Sequence, residues 1–249
     1  MTYKYLVPFT NSIVNIPMGL AVSVTSNTTL SIADGLCMDE EYTQNIFVDS
    51  PIAINTATVG AGGIDTGTLA ASSLYYVYLM LDSTGNKAVT AVASLSATAP
   101  IYAGGYDKKK LIGVAITDGS THFINLVQTG SGFIREYWFD TTVSVLSGGS
   151  SATFADVDLT GLMPVTACVA KFNASFTPAV AADVAYLSIG GSSSTNGVVQ
   201  ITGVVAAKAQ SLQVAIPVGV HSSKPVVQYK VTASGALTLL LASFTHNLE

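Results

Sequence analysis

Leu74-Tyr75-Tyr76-Val77-Tyr78-Leu79-Met80-Leu81 is followed at once by Asp82-Ser83-Thr84-Gly85-Asn86. The first eight residues are apolar on both faces and rich in Tyr. That suits a strand with neighbours on each side and cover above and below. The next five form a turn in which Gly85 supplies positive φ at little steric cost. A strand ending in a hairpin-type connection is the unit repeated along the chain. Apolar runs recur roughly every 8–12 residues between clusters of Gly, Ser, Asn, Thr and Pro, the spacing of a sandwich or barrel. Leu212, Val214 and Ile216 alternate with Ser211, Gln213 and Ala215, and Val227, Tyr229 and Val231 with Gln228 and Lys230. Period two marks half-buried strands. No segment sustains a helical apolar stripe.

The expected strands are Leu20–Val24, Thr29–Ala33, Gln44–Val48, Leu74–Leu81, Ala88–Ser94, Leu111–Thr117, Phe123–Gln128 and Phe133–Phe139 in the first half. Phe154–Leu159, Ala167–Phe172, Val184–Ile189, Val198–Val205, Leu212–Ile216, Val226–Val231 and Leu237–Phe244 follow. Thr117-Asp118-Gly119-Ser120 reads as a second hairpin-type turn. The expected fold is all-β: two antiparallel, jelly-roll-like β-sandwich domains joined by a short Gly/Ser linker. The linker is Ser147-Gly148-Gly149-Ser150-Ser151, between a module over residues 21–140 and a C-terminal sandwich over 150–249. Residues 1–20 are an N-terminal arm or a first strand; Met1–Pro17 fits both. Gly190–Gly197 reads as a long polar loop of the second domain.

Composition narrows the function. The 249 residues carry a formal net charge of −5, and only 10% are charged against 49% hydrophobic; globular domains usually carry about 25% charged residues. Disorder needs the reverse balance, and a nucleic-acid binder needs a basic face. No apolar run reaches the roughly 20 residues of a spanning helix, so membrane insertion is not expected. Neither is a signal peptide. Cys37 and Cys168 are too few for a disulfide framework and read as small buried hydrophobes.

Candidate chemistry is sparse. His122, His221 and His246 have no zinc-type spacing, and no Gly-x-Ser-x-Gly elbow supports a Ser-His-Asp triad. Asp39-Glu40-Glu41 is the densest acidic cluster, but consecutive strand side chains diverge; a solvated turn is expected. Asp156 and Asp158 share a strand face and could form a carboxylate pair. Gly60-Ala61-Gly62-Gly63 does not open a strand–loop–helix unit, so it is not read as a phosphate cradle. Asp65-Thr66-Gly67 has the aspartic-protease triplet without matching flanks. No catalytic, metal or cofactor site is expected. Lys108-Lys109-Lys110 is the only basic run and opens a strand. Arg135, with Tyr137 and Trp138, has the residue types of interface anchors. Together with Tyr102 and Tyr106, these eight residues are the expected interface or ligand contacts.

The order Gly63-Ile64-Asp65-Thr66-Gly67, Leu74-Tyr75-Tyr76-Val77-Tyr78, Ser96-Ala97-Thr98-Ala99-Pro100, Gly105-Tyr106-Asp107-Lys108-Lys109-Lys110, Ile112-Gly113 and Thr117-Asp118-Gly119 resembles a module of tailed-bacteriophage virion appendage proteins. These are of the tail-fibre, receptor-binding and capsid-fibre type. Ile32-Ala33-Asp34-Gly35 resembles the module's lead-in, and Phe154–Pro164, with Asp158-Leu159-Thr160-Gly161, the sandwich that often follows it. The resemblance implies a non-enzymatic structural protein of the virion, a tail or capsid-surface appendage that contacts the host. It would fold in the host cytoplasm before joining the particle. It also implies a homotrimer and contacts with other virion proteins; the low charge by itself suggests only a homo-oligomer. The alternative reading is a carbohydrate-binding module that recognises a host surface glycan.

Overall fold

The computed structural model describes residues 17–130, 132–191, 199–232 and 235–248. The segment before Pro17, read as arm or first strand, lies outside this set, as do residues 192–197 of the expected polar loop. The described residues form twenty strands and no helix. The protein is all-β.

The described residues divide into two compact units. One takes 17–69, 75–114 and 132–133; the other takes 70–74, 115–130 and 134–248. The first holds β1 (Met18–Gly19), β2 (Val22–Ser26), β3 (Thr29–Ile32), β4 (Gly35–Met38), β5 (Asn45–Val48), β6 (Ile52–Asn55) and β7 (Gly63–Ile64). β8 (Leu74–Leu81), β9 (Thr90–Ser94) and β10 (Lys108–Ile116), which lie in this unit except for Leu74, Ala115 and Ile116, complete its three sheets. Their orders are β1-β4-β5, β2-β3-β6 and β10-β8-β9-β7. Tyr75 to Met80 are all buried, as expected for a strand flanked by β10 and β9.

The second unit holds β11 (Leu126–Thr129), β12 (Ile134–Gly149), β13 (Ala155–Asp158), β14 (Ala167–Thr177) and β15 (Val184–Ile189). β16 (Val199–Thr202), β17 (Gln210–Pro217), β18 (Gly219–His221), β19 (Lys224–Val231) and β20 (Ala236–Asn247) follow. One sheet runs β11-β12-β20-β14-β17 and the other β13-β19-β15-β16, with β18 on β19. Every recorded pairing among these strands is antiparallel. The inner faces meet closely. A Cβ on Gly235 would stand 2.6 Å from the Phe176 ring of one sheet and 3.1 Å from Val231 of the other.

The expected linker over Ser147–Ser151 begins inside a strand. Ser147, Gly148 and Gly149 are strand, the last residues of β12, and Gly149 pairs with Leu237. A Cβ on Gly149 would come within 2.7 Å of the Tyr229 ring. That glycine is a packing necessity, which composition cannot distinguish from a linker.

β20 is central and changes phase. Lys171 pairs with Ser243 and the next residue, Phe172, with Leu241, so Ala242 has no partner on β14. On the other side Trp138 pairs with Ser243 and Val143 with Leu241, so residues 139–142 stand opposite Ala242. Before the bulge the fully buried residues are Leu237, Leu239 and Leu241; Ala242 and Ser243 are buried at the bulge itself, and the alternation resumes with Phe244, His246 and Leu248. One extra residue in a period-two strand exchanges its faces. Without it Thr245 would take the inward side in place of Phe244 and His246.

The bulge therefore buries a histidine. His246 Nε2 lies 3.1 Å from Thr166 Oγ1, and burial pulls the imidazole down to about 4 from its ordinary 6.5. Between those values the unfolded chain binds more protons than the folded one, so stability rises with pH. It is complete above pH 6.5 and lost as the pH falls through 4, a change of about 3 kcal/mol. Urea unfolding between pH 7 and pH 4 is expected to show this loss, and His246→Asn to flatten it.

Candidate functional site

Four of the eight expected contact residues, Tyr102 and Lys108 to Lys110, gather near one acidic turn of the first unit. Asp39 is buried and organises that turn. Its Oδ1 accepts from the backbone N–H of Thr43 at 2.7 Å and of Gln44 at 2.8 Å, and its Oδ2 from the Thr43 hydroxyl at 2.8 Å. Glu40 N–H donates to Lys109 O at 2.9 Å, which ties the turn to β10. The Lys108 ammonium pairs with Glu41 and lies 4.0 Å from Asp39; Lys109 lies 3.2 Å from Glu40. The acidic and basic runs thus neutralise each other. Tyr102 lines the same shallow recess, and burial together with Glu40 and Glu41 raises its phenol pKa.

Tyr106 and Lys110 serve packing. The Tyr106 hydroxyl donates to Ala88 O at 2.9 Å, and Lys87 stands 5.2 Å over its ring. Lys110 is buried, its ammonium 5.7 Å from the Tyr42 ring centroid and 5.4 Å from that of Phe133, close enough for cation–π attraction. Cys37 is buried nearby. Burial, opposed by the Lys110 charge, pushes its thiol up to about 12, so it carries no reactive thiolate at neutral pH.

The other three residues lie on β12, and strand alternation separates them. Arg135 and Tyr137 face inward. The Arg135 guanidinium donates through Nη1 to Gly130 O at 3.1 Å, and burial lowers its pKa. Tyr137 stacks on Phe244 with centroids 5.0 Å apart and an 18° interplanar angle. Trp138 faces outward. It is cross-strand to Ser243 on β20, which is cross-strand to Lys171 on β14. Lys171 holds its ammonium 4.9 Å above the Trp138 ring and pairs with Glu136 at 2.6 Å. The Ser243 hydroxyl donates to the same carboxylate oxygen at 3.1 Å.

Further along this face a shallow groove of about 270 Å³ is lined by Asn173, Ala174, Ser175, Ser211, Leu212, Gln213, Thr238 and Leu240. It offers amides, hydroxyls and the apolar surface of two leucines, without a net charge. The sequence reading missed Lys171, Asn173 and Gln213 as a group. The alternation that places each on one face was legible; the order of strands that brings them together was not.

Asp156 and Asp158 do share a face, but each has its own base. His221 contacts Asp156, whose other oxygen accepts from Gln228 Nε2 at 2.8 Å. Burial raises the Asp156 pKa, yet these two hydrogen bonds outweigh it and the net shift is downward. Lys224 lies 2.6 Å from Asp158; the hydrogen bonds from Lys224 and Thr160 take that carboxyl down to about 2. Among the described residues no three His, Cys, Asp or Glu side chains are grouped to hold a metal ion, and no helix is long and apolar enough to cross a membrane. No family model matches this chain, and no curated protein matches it.

Trp138 is the only tryptophan, so its emission reports this site alone. Lys171→Met is expected to remove the cation over the ring, change the emission intensity and raise acrylamide quenching. The stability cost is expected to be about 1 kcal/mol in urea, from the lost cation–π and ion-pair contacts. Emission and quenching identical to the wild-type chain would contradict the geometry.

Proposed function

We propose that this chain is a non-enzymatic structural protein of a phage particle, a tail or capsid-surface appendage that contacts the host and works as a homo-oligomer. One observation carries the reading: the ionisable clusters join a strand to another strand or to a turn. Lys108 and Lys109 meet Glu41 and Glu40, Lys171 meets Glu136, and His221 and Lys224 meet Asp156 and Asp158. Groups used this way fix sheets in place. The phage class rests on the resemblance over Gly60–Gly130. The motif's Gly63-Ile64, Leu74–Tyr78 and Lys108–Gly113 fall on β7, β8 and β10 of one sheet, which supports reading that stretch as a single folded module.

A second reading, carbohydrate recognition, is favoured by the groove of amides and hydroxyls on the same face as Trp138. Saccharides are bound by such donors and acceptors with apolar surface beneath.

Antibody or tag labelling of intact particles from a phage encoding this chain is expected to find it at the surface in fixed stoichiometry. Its absence from purified particles would overturn the proposal. A glycan-array signal abolished by Trp138→Ala would establish the second reading.

A further inference from the structure

We infer that β17 is a docking edge for a second copy of this chain, pairing antiparallel with its counterpart about a two-fold axis at Gln213. β17 ends its sheet. Its ladder with β14 runs from Val169↔Pro217 to Phe176↔Gln210 with no register break. A long, regular, uncharged edge strand is a template for pairing, and proteins ordinarily blunt such edges with charge, proline, bulges or brevity. The other edges here are blunted. β10 carries Lys108–Lys110, β13 carries Asp156 and Asp158, and β1, β2, β5, β6, β7, β11 and β16 have five residues or fewer. β17 has eight residues, no charge, and proline only at its last position.

The strand also presents an uncovered part of the core face. Leu212 shares a face with Val214 and Ile216, which are 4% and 0% exposed, yet Leu212 itself is 48% exposed. The occupant and register follow from the strand's own pattern. In an antiparallel pair, directly opposed residues lie on the same face. Centring the pair on Gln213 meets this condition and gives the longest overlap that keeps Pro217 out of the new ladder. Leu212 then packs on Val214 of the second copy and Ser211 opposes Ala215. Gln213 opposes itself, where two side-chain amides can exchange hydrogen bonds. The interface is self-complementary and neutral, as an isologous contact between copies requires. A two-fold gives an even stoichiometry in place of the trimer that the resemblance implies.

The test uses the full chain in solution and does not depend on whether it belongs to a particle. Sedimentation velocity is expected to give a dimer that Gln213→Lys weakens by roughly tenfold or more, because like charges then face each other at the axis. Under mild oxidation Gln213→Cys is expected to form a covalent dimer. Leu212→Cys, which opposes Val214, and the wild-type chain oxidised in parallel are not. The cysteine variants decide the question if Gln213→Lys does not fold. A monomer at every concentration, a trimer, a dimer indifferent to a folded Gln213→Lys variant, or equal cross-linking at 212 and 213 would each overturn the inference.

Discussion

The second unit depends on a single unmatched residue. Ala242 lets β20 satisfy both of its neighbours while placing Leu237, Leu239 and Leu241 inward on one side of the bulge and Phe244, His246 and Leu248 on the other. The bulge falls at the same point against β12 and against β14, so the two ladders are locked to each other. Sliding either by one residue would put Thr238 or Thr245 on the inward face in place of a leucine, Phe244 or His246. Tyr137, stacked on Phe244, and Phe139, 6.1 Å from the same ring, extend this arrangement into β12.

That constraint also positions the outer face. Because β12 keeps Tyr137 inward, Trp138 faces out, and because Ser243 is its cross-strand neighbour, Lys171 is brought over the indole. Glu136 neutralises that lysine at 2.6 Å. The face is left with hydroxyls, amides and no net charge. The same economy holds in the first unit, where Lys108 and Lys109 meet the acidic turn that Asp39 organises. With so few charges available, pairing each across strands adds little stability where it is exposed. It does specify which loop lies on which strand.

Much of this was legible one strand at a time. Leu74–Leu81 is central because it is apolar on both faces, and Leu212–Ile216 and Val227–Val231 alternate as expected. β4 and β6 were missed: each is four residues long, one opening on glycine and the other following Pro51, too short for a period to show. Ser147–Gly149 resembled a linker because glycine is the only residue that fits beneath Tyr229, and that contact is not local. The two charged runs were each visible, but Lys108 and Glu41 are 67 positions apart. Arg135, Tyr137 and Trp138 could be sorted onto opposite faces by alternation; which face was the core depended on β20, whose Ser243 lies 107 positions beyond Glu136.

Hydrogen exchange along β20 tests this dependence most directly. If the phase change at Ala242 holds the sheet together, the amides on both sides of it exchange together. They are then the slowest in the second unit, since they open only with global unfolding. Exchange from Phe244 to Asn247 that is as fast as in the edge strand β11, with Leu237 to Leu241 still protected, would contradict the account. It would mean that the strand is anchored only before the bulge.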